Sequence, residues 1–308
     1  MPARAGDGVE QSCWSLVPGD PDWPPLWREM PLPPAAVHGR GRRACLTRPA
    51  LAIVGTRGAT ARGLAVARGL AADLARAGWI IVSGLARGID TAAHEGALDA
   101  GAETIAVMGT GLDRTYPPGN RRLRARIEAQ GCVVSEYAWG TSPEEANFAH
   151  RNRLVAGLAS GVLVVEAPLG SGALLTAQIG LELDREVMAV PGPIDLRQAR
   201  GCHRLLKAGA TLVEGVADVH GALVPPLIAR ADAAAVSGTR AAAPVAAAGG
   251  PARWLWDRID LEGVALDELR AQWRADAGAF AEALLALEMA RLIRRLPGGR
   301  VARKIWIP

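Results

Sequence analysis

The 308-residue chain reads as an α/β protein: a doubly wound parallel sheet followed by a small C-terminal winged-helix domain. Three observations predict this. From Ala50 onward, apolar runs of strand length alternate with stretches of helical apolar spacing, as when crossover helices join parallel strands. The stretch Leu51–Gly63, LAIVGTRGATARG, passes from an apolar run through glycines straight into a helical pattern. The tail, Trp254 to Pro308, shows three short helical pieces. It then carries two runs, Leu292–Leu296 and Arg300–Ile307, on either side of Pro297-Gly298-Gly299, the outline of a β-hairpin.

Taken in order, residues 1–47 form an N-terminal arm rich in proline and tryptophan. Prolines at 18, 21, 24, 25, 31, 33 and 34 exclude a long helix, and Trp14, Trp23 and Trp27 are expected to dock the arm on its neighbour. Residues 48–222 make the sheet domain. Its strands are expected at Leu51–Val54, Trp79–Val82, Thr104–Met108, Cys132–Val134, Val162–Val165 and Val187–Val190, then Thr211–Val213. The helix after the first strand should run from Thr60 to about Ala77. Parallel strands all end on one edge, where ligands bind. That edge would hold Gly55-Thr56-Arg57, Ser83-Gly84, Gly109-Thr110-Gly111, Ser135-Glu136, Glu166 and Pro191-Gly192. Residues 223–252 dissolve into alanine, proline and glycine and are expected to be a flexible linker. Residues 253–308 are the winged-helix domain, with Ala281–Leu292 as its recognition helix. Glu282 and Glu288 on that helix argue against sequence-specific duplex reading and for an auxiliary role.

Half of the residues are apolar and the net charge is +4, so total charge says little about partners. Its distribution says more. No acidic residue falls between Met30 and Ala72, where Arg40, Arg42, Arg43, Arg48, Arg57, Arg62 and Arg68 lie, and a second group runs from Arg114 to Arg126. Two readings stand: solvated faces of an arginine-rich protein, or a polyanion track. Cys13, Cys45, Cys132 and Cys202 are scattered, with no C-x-x-C pair, which speaks for a reducing compartment and against a zinc site. No secretion signal and no apolar run near the roughly 20 residues of a membrane span is seen. A cytoplasmic protein away from membranes is expected.

A strand that turns through glycines into a helix aims free backbone N–H groups, and the positive helix end, at one spot. That makes Leu51–Gly63 an anion site, with phosphate its commonest occupant and Arg57 supplying a forked cation. The spacing Gly55-x-x-Gly58-x-x-x-x-Gly63 is not the dinucleotide fingerprint, and no acidic residue ends the next strand; no Gly-Lys-Ser/Thr follows to make a P-loop. Arg57 and Thr60 are the leading candidates for DNA contact, the competing role for Arg57 being an ion pair with Glu136 or Glu166. Ser83, Gly84 and Arg87 form a second loop near a helix start, and Ser171 and Gly172 a third, with Thr176 inside its helix. Arg151-Asn152-Arg153 precedes the fifth strand. Either both arginines lean past the helix end toward a phosphate track, or one enters the cleft while the other makes a structural ion pair. Phe148 either stacks a base or packs in the core. Asp90 and His94, four apart, are expected to bond as a helix-start carboxylate and a histidine, since nothing nucleophilic accompanies them. His150 and His203 lack clustering ligands, so neither a metal nor a cofactor is assigned.

The motifs together resemble the DNA-processing protein A (DprA, also called Smf) family of bacteria. The resemblance runs through Val54-Gly55-Thr56-Arg57, Val82–Asp90 with Ala93-His94, Gly109–Asp113, Tyr116-Pro117, Asn120 and Ser135-Glu136-Tyr137. It continues through Phe148–Arg153, Val165-Glu166-Ala167, Ser171–Ala177 and Ala189–Gly192. It implies a cytosolic, extended Rossmann-like protein without catalytic activity. Such a protein binds single-stranded DNA, protects incoming strands during natural transformation, helps load the RecA recombinase, and forms a homodimer through the Rossmann-like domain. Three departures stand out. The chain begins too late to hold the helical N-terminal domain of many members. Ala149 replaces a usual proline, with Glu144 and Glu145 just before it, and Cys202-His203 stands where Thr-Asn is usual. The rival reading is a related Rossmann-like enzyme that cleaves nucleoside monophosphates. Its P-G-G-x-G-T stretch and following glutamate have no counterpart at Leu169–Ala173.

Overall fold

The structure, a computed structural model, describes residues 13–223, 251–259, 263–274, 276–289, 293–296 and 299–303. Two compact units divide the chain after residue 230. Residues 224–250 of the expected linker, the first twelve residues of the arm, the hairpin turn Pro297-Gly298 and the end of the second hairpin strand lie outside the described residues, while 251–252, expected in the linker, open a helix.

In the first unit, nine strands form one sheet. Parallel strands β3 (Ala50–Val54), β4 (Ile80–Ser83), β5 (Thr104–Val107), β6 (Cys132–Ser135), β7 (Gly161–Val164), β8 (Glu186–Ala189) and β9 (Thr211–Leu212) fall within a residue of the expected runs. The arm supplies two more, β1 (Trp14–Leu16) and β2 (Val37–Gly41), and β2 runs antiparallel beside β6. The order β1-β2-β6-β5-β4-β3-β7-β8-β9 makes β3 the centre from which the chain winds first one way and then the other. The switch point therefore lies between β3 and β7, where open α/β sheets bind ligands.

Both faces are covered, as the alternation along β3 requires. Ala50, Ala52 and Val54 pack on the side of α4 (Glu145–Leu158) and α5 (Gly172–Glu182). Leu51 and Ile53 pack against α1 (Ala61–Arg76) and α2 (Ile89–Asp99). The arm is docked by its tryptophans: Trp23 and Trp27 are fully buried, stand edge to face with ring centroids 5.4 Å apart, and Trp27 Nε1 donates to Leu154 O at 3.4 Å. Helices α3 (Arg121–Gln130), α6 (Arg200–Lys207) and α7 (Val216–Ala222) complete the layers.

The second unit holds α8 (Pro251–Arg258), β10 (Val264–Ala265), α9 (Leu266–Gln272), α10 (Ala277–Met289), β11 (Ile293–Leu296) and β12 (Arg300–Arg303). Three helices with a small sheet in the order β10-β12-β11 make a winged-helix domain, its core built on Leu255, Ile259, Leu269, Phe280, Leu287 and Val301. The recognition-helix position is α10, which starts four residues earlier than expected. No described helix is long and apolar enough to cross a membrane.

Candidate nucleic-acid interface

The turn after β3 is built as expected, but its helix end is already filled. Thr60 caps α1, accepting from Gly63 N at 3.0 Å. The carboxylate of Glu166, just past the end of neighbouring β7, takes the Thr60 amide at 2.9 Å and the Thr60 hydroxyl at 2.6 Å. A Cβ at position 63 would sit 2.3 Å from that carboxyl carbon, so glycine there makes room for it. An anion does occupy the N-terminus of α1, and it is the protein's own. Thr60, expected as a DNA contact, is committed to Glu166 instead. Arg57 is left exposed in the turn. Its two expected carboxylate partners are taken, Glu166 by Thr60 and Glu136 by Arg153, and among the described residues no acid pairs with it. Its guanidinium lies 5.8 Å from the centroid of the Phe148 ring.

The turn after β4 is braced from within. Ser83 is fully buried and donates to Ile53 O at 2.7 Å, so it ties two strands together and does not face a ligand. Asp90, in the first turn of α2, accepts from the Gly84 and Ala86 amides at 3.1 and 3.3 Å. Arg151, from α4, donates to Gly84 O at 2.7 Å and to Val107 O, which joins the ends of β4 and β5. A Cβ at position 84 would stand 2.5 Å from the Arg151 guanidinium, so only glycine admits this approach. Burial pulls Arg151 down to about 10, opposed by the attraction of Asp90 and helped by the nearby charge of Arg57. Burial likewise raises the Asp90 carboxyl, against the opposing pull of Arg151 and the two amides. The expected bond between Asp90 and His94 does not form, because His94 turns into the core and pairs through Nδ1 with Thr104 Oγ1 at 2.8 Å. Buried there, and next to the charge of Arg151, its imidazole falls to about 3.

The two arginines of α4 diverge. Arg151 lines the cleft; Arg153 leaves by another face, pairs with Glu136 and donates to Leu32 O at 2.9 Å. The alternative with one cleft arginine and one structural ion pair is therefore the one that the geometry supports. Phe148, half-buried on the first turn of the same helix, stacks on Tyr116 with centroids 5.2 Å apart and planes at 29°. On the far side, α5 opens with Ser171 and Gly172. Ser171 makes no capping bond, its hydroxyl is buried without a partner, and the first turn holds no acid. Asn152 Nδ2 reaches Gly172 O at 3.4 Å, and the buried Thr176 hydroxyl donates to that same carbonyl at 3.3 Å, which removes Thr176 as a free donor.

These parts enclose a cleft of about 480 Å³ at the switch point, lined by Arg57, Gly84, Phe148, Arg151, Asn152, Ser171 and Gly172 among others, with Asp90 inside and Glu145 at the α4 end. An adjoining hollow of about 470 Å³ adds Arg87 and Tyr116. Of the two helix starts expected to seat phosphate, that of α1 is closed by Glu166 and that of α5 faces the cleft unfilled. Several of the remaining arginines pair with acids at the surface, Arg42 and Arg48 with Glu103, Arg43 with Asp22 and Arg68 with Glu95 and Asp99, whereas Arg124 pairs with Glu128 in the interior. Sequence reasoning missed Tyr116 as a ring in the site and Glu166 as the internal anion. Tyr116 carried one signal, being one of two tyrosines and lying in a Tyr-Pro-Pro loop on the binding edge. No group of three or more potential metal ligands occurs among the described residues.

Comparison with known proteins adds to this geometry. Residues 14–223 match the family model for DNA recombination-mediator protein A, and residues 239–299 match that for the DprA winged helix domain. Protein Smf of Synechocystis is 45% identical over 202 residues, which cover 64% of this chain and 51% of that protein. The DNA processing protein DprA of Streptococcus pneumoniae is 44% identical over 190 residues, covering 60% and 66%. The chain thus spans between half and two thirds of the length of these curated relatives. The X-ray structure of the S. pneumoniae protein superposes with a TM-score of 0.66 at 40% identity, over 68% of this chain and 74% of that one. The Helicobacter pylori DNA processing protein A, whose structure was described for its single-stranded DNA binding mode, gives 0.63 at 28% identity, over 70% and 97%.

Proposed function

Because this chain belongs to the DNA recombination-mediator protein A family, we propose that it binds single-stranded DNA, protecting incoming strands and helping to load the RecA recombinase in natural transformation. One observation carries the DNA-binding part: Arg57 stands without a carboxylate partner beside the Phe148–Tyr116 stack, at the mouth of a cleft backed by Arg151 and by the open start of α5. A guanidinium and a helix start suit phosphates; rings at the rim suit unpaired bases, which a duplex does not offer. The H. pylori relative, described for its single-stranded DNA binding mode, supports the same reading. The contacts are Arg57, Arg87, Phe148 and Tyr116 at the rim, with Arg151 and Asn152 behind and Ser171-Gly172 opposite. RecA delivery, a homodimer that sets two clefts side by side and a cytoplasmic location rest on the family.

Binding without catalysis is supported by the acid buried in the cleft: Asp90 accepts from the Gly84 and Ala86 amides and is attracted by the charge of Arg151, so it is not free to attack or shuttle protons. The test is an electrophoretic comparison of single-stranded with duplex DNA at low and high salt. Preference for the single strand, weakened by salt, is expected; equal or stronger duplex binding refutes the reading. Release of base from nucleoside monophosphates by the pure protein would replace it with the enzymatic alternative.

A further inference from the structure

We propose that Trp139, backed by Arg40, is a second base-stacking platform for the same single strand, one that lengthens the bound segment past the cleft toward β6. Tryptophan is seldom left open to water without a reason, yet Trp139 is 57% exposed. Its indole is covered by the Arg40 guanidinium, whose Cζ lies 5.5 Å from the ring centroid and whose Nε donates to Cys13 Sγ at 3.1 Å. A cation on one side of an indole leaves the other face for a stacked base, and adds positive charge beside the backbone phosphates.

The turn that carries the indole is rigidly tied. Thr141 donates from both its amide and its hydroxyl to Ala138 O at 3.2 and 2.8 Å, Arg114 Nε donates to Gly140 O at 3.1 Å, and Gly140 N donates to Asp113 Oδ1 at 2.8 Å. These ties hold Trp139 to the loop that also reaches the cleft. Segment 111–116 braces the Trp139 turn at one end and supplies Tyr116, stacked on Phe148, at the other. Both rings stand on the edge where β3, β4, β5 and β6 all end, and β6 is three strand spacings from β3, about 14 Å. A strand leaving Arg57 and Phe148 along that edge meets Trp139 next. Arg40 and Arg114 supply cations there; Arg114 has Asp113 at 3.8 Å, whereas Arg40 has no carboxylate partner among the described residues. A platform of this kind takes bases of any identity.

The inference rests on the single-strand reading of the cleft, and the experiment separates the two. Full-length wild-type, Trp139→Ala, Trp139→Phe and Arg57→Ala proteins are titrated with labelled oligothymidylates of about 5 nucleotides, near the low end of single-strand site sizes, and about 20, past the high end. Trp139→Ala is expected to lose roughly 5- to 150-fold on the long oligomer and nothing on the short one, as the loss of one stacked base predicts. Trp139→Phe should keep most of the affinity, and an abasic tract in the distal half of the long oligomer should erase the difference between Trp139→Ala and wild type. Arg57→Ala should weaken both lengths. If Trp139→Ala binds the long oligomer as wild type does, or loses equally on both lengths, the platform is refuted while the cleft stands on Arg57→Ala. If Arg57→Ala changes neither length, the cleft reading falls, and the platform falls with it.

Discussion

Replacing Arg57 by alanine removes a rim guanidinium that no carboxylate among the described residues pairs with and that lies against Phe148. The side chain is exposed, so the fold should be indifferent, with stability changed by no more than about 0.5 kcal/mol. DNA binding should not be. A charge-assisted hydrogen bond to phosphate contributes about 1.5–3 kcal/mol, so affinity at low salt should fall roughly 10- to 150-fold. The loss has a second signature. Each phosphate neutralised on a single strand adds about 0.7 to the slope of log K against log salt, so the variant's slope should be shallower by about that amount. Over a fourfold rise in salt the wild-type advantage then shrinks by about 2.6-fold. The assay is fluorescence anisotropy of a labelled oligothymidylate across a salt series, with a melting curve for each protein. Arg57→Lys should regain the slope but not all of the affinity, because the ammonium keeps the charge and loses the fork. A variant with wild-type affinity and wild-type slope would refute the assignment of Arg57 to phosphate.

The same logic extends to four other positions. Phe148→Leu should cost about 1–3 kcal/mol of binding for a stacked base while leaving the salt slope intact, since no charge is lost; a changed slope would show that the helix itself had moved. Arg153→Ala should lower the melting temperature through loss of the Glu136 pair and the Leu32 bond, yet leave the salt slope alone; a slope loss like that of Arg57→Ala would put Arg153 on the DNA. Glu166→Ala strips the Thr60 amide and hydroxyl of their acceptor, at a cost of about 2 kcal/mol and a fall of about 4–8 °C in Tm; an unchanged Tm would mean that water replaces the carboxylate fully. His94 is neutral in the fold down to about 3, whereas in the unfolded chain it takes up a proton below 6.5, so its contribution is complete above 6.5 and is lost as pH falls from there toward 3. His94→Gln should remove about 1.4 kcal/mol per pH unit of that dependence, read by urea unfolding between pH 6.5 and about 4.5; an unaltered slope would show that the buried imidazole protonates without unfolding.

Much of this protein is legible locally. Apolar runs set each parallel strand to within a residue, because burial on both faces needs unbroken hydrophobic strands. The glycine turns placed Arg57 and Gly84 on one edge, Ser171-Gly172 was read as a helix start, and the motif series identified the family that the comparisons show. The arm was read as docking through its tryptophans, but its entry into the sheet was not visible. The β2 residues Val37-His-Gly-Arg-Gly41 show no strand pattern, and β6 supplies the pairing.

What tertiary structure alone decided is the partner of each polar side chain. Glu166 reaches Thr60 across 106 residues, Ser83 reaches the Ile53 carbonyl across 30, and Arg151 and Arg153, two apart on one helix, end in a cleft and in an ion pair. Backbone conformation follows from short-range periodicity and sterics, so the sequence by itself determined where the strands end and the glycines turn. A charge finds its partner by proximity in space, and no local pattern records which acid a neighbouring strand brings beside a helix end.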